Sequence, residues 1–351
     1  MVRLVTRAWS ARSGEMYCRC LTGRLNSHYH ESNQSFYNLL KRAGNDSRTH
    51  SMITIAGGSG RLGTILVDRF AARGETVRIL SRSPHPARTI PPAVETVAWD
   101  ARRPADADRA VAGARIVISA MSAFGMKGVT PRQVDLEGNA TLIAACERQG
   151  VEHFILVSVR GASPDNGVAL ARMKYEAEQR LMQSSLSWII LRPSPFMETF
   201  QEVLCAPLLA TGKTVVFGRA RNPINFVSAH DVAWCVERAS TDTGLRGKAI
   251  DIGGPENLSL MQFVEAFSVA TGVRGPVKHI PLTMMKLMSV VARPFNPTFA
   301  RLVQASVVMD TTDMTFDPSS LRRQFPDLML TSAADVTRRD YAGRRPPVAQ
   351  S

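Results

Sequence analysis

Four glycines at positions 57, 58, 60 and 63 of "AGGSGRLG" follow a short apolar stretch and open an amphipathic one. Glycine is what a chain uses where its backbone must turn sharply or let another group approach bare main chain. Gly57, Gly60 and Gly63 are spaced by three, and Gly58, Gly60 and Gly63 also satisfy G-x-G-x-x-G. Between a strand and a helix, Gly57 or Gly58 permits the tight turn, Gly60 brings bare backbone to a pyrophosphate, and Gly63 lets strand and helix pack closely. The loop Gly57, Gly58, Ser59, Gly60, Arg61, Leu62 and Gly63 is therefore the expected phosphate cradle, with the helix N-terminus adding free N–H groups and its positive dipole end. Turn glycines without a ligand are the alternative.

The elements around the loop decide between the two. "MITIA" is short, β-branched and apolar, as a buried parallel strand is, while "GRLGTILVDRFAARG" sets Leu62, Ile65, Leu66 and Phe70 at helical spacing and stops at Gly74. Further strands are expected in "ETVRILSR", "VETVAW", "ARIVISA" and "EHFILVS", each separated by a helix-compatible or turn-rich segment. Alternating strands and helices after a glycine-rich first turn predict an α/β fold, a doubly wound parallel sheet whose ligand lies at the carboxyl ends of the strands.

The second strand selects the dinucleotide. An NAD site places Asp or Glu at its end for the ribose 2′-hydroxyl, but no acid occurs between Glu75 and Glu95, where Arg78, Arg82 and Arg88 stand instead. Arg82 follows "ILS" directly and is placed to pair with a 2′-phosphate through its planar fork, with Ser81 and Ser83 as hydroxyl donors; a solvated loop arginine is the alternative. NADP(H) is thus the expected cofactor. Asp100, after the third strand, is placed to reach the adenine amino group.

At 351 residues and 44% hydrophobic content the chain can bury a large core. Its formal charge of +13 comes from scattered residues without a long basic run, so no nucleic-acid partner is expected. Cys146, Cys205 and Cys235 lie in apolar settings and read as buried thiols, while Cys18 and Cys20 have no zinc-like spacing to His28 and His30, so no metal is expected. No apolar run reaches the roughly 18 residues of a membrane span. The Met-rich "LTMMKLMSVVARPF" is broken by Lys286 and Arg293 and reads as a core-facing helix, with an apolar substrate pocket as the alternative. A soluble, cytoplasmic protein is expected. Residues 1–51 are Arg-rich and acid-poor and lack sustained periodicity; they read as a disordered leader or a start misplaced upstream of Met52, a transit peptide being the alternative. Residues 343–351 read as a disordered tail.

The combination of "GGSGRLG", "VRILSR", "VAWD", "GNATLIAACERQGVEHFILVS", "ARMKYEAEQRLMQSSLSWIILRPSPF", "NFVSAHDVA" and "DIGGPENLSLMQF" resembles the atypical short-chain dehydrogenases/reductases, particularly the NmrA-like NAD(P)-binding group, over about residues 52 to 270. The resemblance implies a Rossmann domain over 52–342 with a smaller carboxyl-side substrate region, mainly 193–226 and 253–342. Reductases of that superfamily use a Tyr-x-x-x-Lys pair on one helix, the tyrosine protonating the substrate and the lysine holding the nicotinamide ribose. Lys174 matches the lysine, Leu170 stands at the tyrosine position, and Ser158 matches the family's hydroxyl. Tyr175, next to Lys174 on the helix, would point about 100° away. The alternative for Lys174 is a surface lysine paired with Glu178. His153 reads as structural and His230 as near a helix cap, with Asp231 satisfying the first turn. The expectation is an NADP(H)-dependent oxidoreductase transferring hydride to a small molecule, with Lys174 and Ser158 as candidate catalytic residues; the alternatives are a redox sensor that engages a protein partner and a nucleotide-stabilised accessory subunit.

Overall fold

The computed structural model describes residues 52–82 and 94–341. Residues 1–51, with Cys18, Cys20, His28 and His30, lie outside the described residues, as do Ser83, Arg88 and the tail from 342 onward.

Seven strands make one parallel sheet: β1 (Met52–Ala56), β2 (Val77–Ser81), β3 (Val94–Ala98), β4 (Ala114–Ser119), β5 (His153–Val157), β6 (Ser187–Pro193) and, after a long excursion, β9 (Lys248–Ile252). Their spatial order is β3-β2-β1-β4-β5-β6-β9, so the direction of winding reverses between β1 and β4. That reversal opens a crevice at the carboxyl ends of the strands. The inner strands β1, β4 and β5 read as apolar runs because both their faces are covered, whereas the edge strands β3 and β9 are largely exposed. Ile53, Ile55, Ile116, Ile118, Ile155 and Ile189 belong to one buried cluster, and Val117, Phe154, Leu156 and Ile190, one residue out of phase, to the other.

The first helix, α1 (Arg61–Ala72), buries Leu62, Gly63, Leu66, Val67 and Phe70. Between β3 and β4 lies α2 (Ala107–Val111), and α3 (Asn139–Arg148) follows a wide helical turn over 132–138. Helix α4 (Ala169–Met182) joins β5 to β6 and buries Ala171, Lys174, Ala177, Glu178 and Leu181 on its inner face.

The carboxyl-side excursions are built on two small sheets. Beyond β6 come α5 (Met197–Phe200), α6 (Ala206–Thr211), β7 (Thr214–Phe217) and β8 (Ile224–Asn225), then α7 (Ala229–Thr241), which leads back to β9. After β9 follow β10 (Asn257–Leu258), α8 (Leu260–Thr271), β11 (Val277–Ile280), α9 (Leu282–Val291), α10 (Pro297–Thr311), α11 (Ser319–Gln324) and α12 (Ala333–Tyr341). β10 pairs antiparallel with β8, and β11 parallel with β7. Ser259 caps α8 in a reciprocal box with Gln262, as a Ser-x-x-Gln start permits.

Two expectations change here, for Asp231 and for the Met-rich helix. Asp231 lies in the first turn of α7 as expected, but its carboxylate accepts from the backbone N–H and hydroxyl of Thr331, while Ser228 caps α7 and Glu198 accepts from the Ala229 N–H. Gly253 and Gly254 are places of close approach, since a Cβ on Gly254 would stand 2.0 Å from the Phe226 carbonyl oxygen. The Met-rich helix α9 is not core-facing, for only Met285 is buried, and it contributes nothing to the cavity described below. Among the described residues no helix is long and apolar enough to cross a membrane. Cys146, Cys205 and Cys235 are free and buried; burial pushes the Cys205 thiol up to about 12 and the other two higher still.

Candidate functional site

A cavity of about 630 Å³ runs along the carboxyl ends of β1 to β6. At its first wall Gly57 leaves β1 with φ +81°, a left-handed conformation that glycine adopts without strain. Its carbonyl accepts from the Gly60 N–H at 3.0 Å, closing the turn, so Gly57 rather than Gly58 makes it. Gly60 sits at the N-cap of α1, which has neither a side-chain cap nor an acid in its first turn. The amides of that turn are therefore uncapped by any side chain, the arrangement that receives phosphate.

Of the expected cradle, Gly57, Ser59, Gly60, Arg61 and Leu62 line the cavity. Gly58 and Gly63 do not. A Cβ on Gly63 would lie 2.1 Å from the Gly57 carbonyl oxygen, and one on Gly58 would lie 2.8 Å from the Ile79 side chain, so these two glycines let the loop pack on α1 and β2. Arg61 is paired with Glu202 at 2.5 Å.

Arg82 and Asp100 both line the cavity at the ends of β2 and β3, Arg82 exposed. Asp100, expected at adenine, holds Arg102. It accepts from the Arg102 guanidinium through both oxygens, at 2.5 to 3.1 Å, and from the Arg102 backbone N–H at 3.0 Å. The Arg102 hydrogen bond holds the Asp100 carboxyl down to about 2, with Arg82 adding to the lowering. The carboxylate thus fixes a second arginine at the rim beside Arg82. Arg102 was missed in the sequence, although the i, i+2 spacing of Asp100 and Arg102 is that of a local side-chain to backbone turn.

The inner wall is built differently. Lys174 reaches from α4 to the cavity floor with its side chain 2% exposed, which removes the surface alternative; Glu178 pairs instead with Arg192. Its ammonium donates to the carbonyls of Met121 at 2.7 Å and Val157 at 2.9 Å, and Asp135 Oδ1 lies 3.3 Å away as an ion partner. Two of its three N–H donors thus have hydrogen-bond acceptors, and Asp135 Oδ1 makes an ion pair without a hydrogen bond. Burial raises the Asp135 carboxyl, and the charge of Lys174 and the Ala123 N–H pull it back. Asp135, carried by the wide turn before α3, was also missed; nothing near it in sequence points to Lys174.

Ser158 at the end of β5 and Ser194 at the end of β6 line the same floor. Both hydroxyl oxygens are buried without a hydrogen-bond partner in the protein. Buried polar atoms are normally satisfied, so two unsatisfied ones in one cavity mark a place for ligand atoms. Leu170 lines the cavity where a tyrosine was sought, and Tyr175 does not line it. Phe124, Phe196, Phe200, Met309 and Met314 make the apolar wall. Arg160 anchors part of that wall by donating to the carbonyls of Met314, at 3.3 Å, and of Thr315. His153 is buried at the start of β5 with Nδ1 2.9 Å from the Ser187 carbonyl oxygen, and His230 lies outside this cavity.

The cradle, the arginine rim and the unsatisfied hydroxyls together fit a dinucleotide. A family model described as NAD(P)H-binding matches residues 57–237. The chain is 27% identical to an NAD(P)H azoreductase of Xenophilus azovorans over 66% of its length and 78% of that protein's. It is 26% identical to the photosystem II assembly factor Ycf39 of Synechocystis sp. over 83% of its length and 91% of that protein's. Its fold superposes on the NADPH-dependent quinone oxidoreductase QOR2 of Escherichia coli, solved with NADPH, with a TM-score of 0.67 at 20% identity, covering 82% of this chain and 99% of that one. A match that spans more than half of the chain and begins at the turn glycine itself leaves one conclusion: the protein belongs to the NAD(P)H-binding family.

Proposed function

We propose that the chain is an NADPH-preferring reductase of a small, flat, largely apolar electrophile, one that accepts hydride without a proton from a side chain at that moment. The observation that carries this is the inner half of the cavity. It is open, its wall is aromatic and thioether, and Lys174 at its floor is held by two backbone carbonyls and the ion pair with Asp135. When bound, NADPH supplies the hydride from its nicotinamide ring.

The chain's own residues do the rest. Gly57, Gly60 and the amides opening α1 hold the pyrophosphate, and Arg82 with Arg102 holds the 2′-phosphate. Lys174 and Asp135 fix the ends of β4 and β5, and the hydroxyls of Ser158 and Ser194 donate to the carboxamide or to the acceptor's oxygen. Phe196, Phe200, Met309 and Met314, supplied by the segments 193–226 and 253–342 that we take as the substrate region, exclude water and grip a planar ring. A quinone, an azo compound or an activated alkene spreads the charge it receives and takes its proton afterwards from water. A simple ketone would become an alkoxide and needs an acid where Leu170 stands. The names of the azoreductase and quinone oxidoreductase relatives support this class.

The test is NADPH consumption with a naphthoquinone beside a saturated ketone of similar size. Turnover with the quinone alone is expected; faster turnover of the ketone overturns the proton argument. A second reading, a non-catalytic NADP(H)-binding accessory protein, is favoured by Leu170 and by the assembly-factor relative. It replaces the first if no electrophile is reduced above background and a protein partner is retained in only one cofactor state.

A further inference from the structure

Helix α9 turns its apolar side outward. At about 100° per residue, Met285, Met288 and Ala292 fall on the side facing the protein, and of these only Met285 is buried. Met284, Leu287, Val290 and Val291 fall on the opposite side, 51% to 70% exposed, and the chain leaves the helix toward Phe295, 86% exposed. A surface helix of a water-soluble fold has the reverse arrangement, with its apolar stripe on the core. A contiguous exposed apolar face of this kind marks a surface that something else covers.

Charge says what the cover is. From residue 266 to 309 the chain contains no Asp or Glu, yet it has Arg274, Lys278, Lys286, Arg293 and Arg301. Arg274 is paired with Glu265, and Arg301 donates to the Val129 carbonyl. Lys278, Lys286 and Arg293 remain exposed. Lys286 and Arg293 are seven positions apart and so fall within about 20° of each other, along one edge of the apolar face. The face is aliphatic and the charged residues of its own helix and flanks are all cationic, which is the pattern of a helix lying in the interface of an anionic bilayer. A second copy of the chain fits it less well, because a two-fold contact would press acid-free basic edges together.

We propose that α9 docks the protein on an anionic membrane surface, with Met284, Leu287, Val290 and Val291 at the acyl boundary and Lys286 and Arg293 on lipid phosphates. The helix packs along α10, which carries Met309 of the cavity wall, so the docked face belongs to the same layer as that wall. The docking does not depend on the reaction proposed above.

The experiment sediments the full chain with vesicles of phosphatidylcholine and with vesicles of mixed phosphatidylcholine and phosphatidylglycerol. Several-fold more protein pellets with the mixed vesicles, and Leu287→Gln/Val290→Gln returns the bound fraction to the neutral-vesicle level while leaving Tm and NADPH affinity unchanged. Residues 1–51 carry arginines of their own, so binding that the double variant leaves intact assigns the attraction to them and overturns the proposal. In a separate variant, Leu287→Trp, emission shifts to the blue when mixed vesicles are added; unchanged emission overturns it too. A wild-type dimer that the double variant dissociates, without vesicle binding, gives the face to a second copy instead.

Discussion

Where β2 and β3 end, the cavity is edged by Arg82, Asp100 and Arg102, charged groups at the rim; where β5 and β6 end, it is floored by Ser158 and Ser194, neutral and buried. Under the proposed function, the first region would select a ligand by charge in the presence of water. The second would select by shape and by hydroxyls that nothing in the protein satisfies. Rim charges act through affinity and fade with salt, whereas buried groups act through stability and rate. Substitutions at the two ends should therefore be read by different measurements.

The largest effect belongs to the floor. Lys174→Met leaves the Asp135 carboxylate buried without its counter-ion, and stability should fall by about 3–5 kcal/mol at neutral pH. Asp135 already lies above the ordinary carboxylate range in the folded protein, and without Lys174 it must fold protonated. The folded state then binds more protons than the unfolded one above pH of about 4, so stability should decline as pH rises through that point. Denaturant unfolding at acid and neutral pH checks the slope; a loss equal at both would break the contrast between a charged rim and a charge-balanced floor. Adding Asp135→Leu in the same chain should restore part of the loss.

Next comes the hinge between the two regions. Gly63→Ala drives a methyl to 2.1 Å from a backbone oxygen and should cost about 3 kcal/mol, with cofactor binding lost as the cradle shifts. Gly60→Ala meets the Gly57 oxygen only at 3.2 Å, so binding should weaken far more than Tm falls. Equal melting curves for the two variants would show that Gly63 is not the packing glycine. At the rim, Arg82→Asp should remove about 1.5–3 kcal/mol of NADPH affinity, roughly 10- to 150-fold, and leave NADH nearly unchanged. Calorimetry with both cofactors settles the ratio, and Arg102→Ala should move it the same way by less. The smallest effect is also the sharpest. Ser194→Ala deletes an unsatisfied hydroxyl, so Tm should hold or rise, while turnover falls roughly fivefold, about 1 kcal/mol, at unchanged NADPH affinity. A drop in Tm would make that hydroxyl structural.

The rim half was legible because its information is local. The glycines and Arg82 are consecutive with the strands that carry them, and strands covered on both faces announce themselves as apolar runs such as "HFILV". Lys174 was legible by likeness, but its partner lies 39 positions earlier on a turn whose sequence carries no sign of the contact. Ser194 stood in "RPSPF" with nothing to mark it, since an unsatisfied hydroxyl is a property of the packed cavity and not of the residue type. The outward face of α9 was misread for a related reason. Periodicity says which side chains share a face and is silent on which face the rest of the chain covers.

The buried thiols acquire a meaning from the chemistry proposed for the cavity. Quinones and activated alkenes alkylate thiolates, and a protein that concentrates such molecules is exposed to them at every turnover. Cys146, Cys205 and Cys235 are sealed in the core with their thiols held protonated, and no cysteine lines the cavity among the described residues. Within that part of the chain, the electrophiles of the proposed reaction would meet no thiol in the cavity.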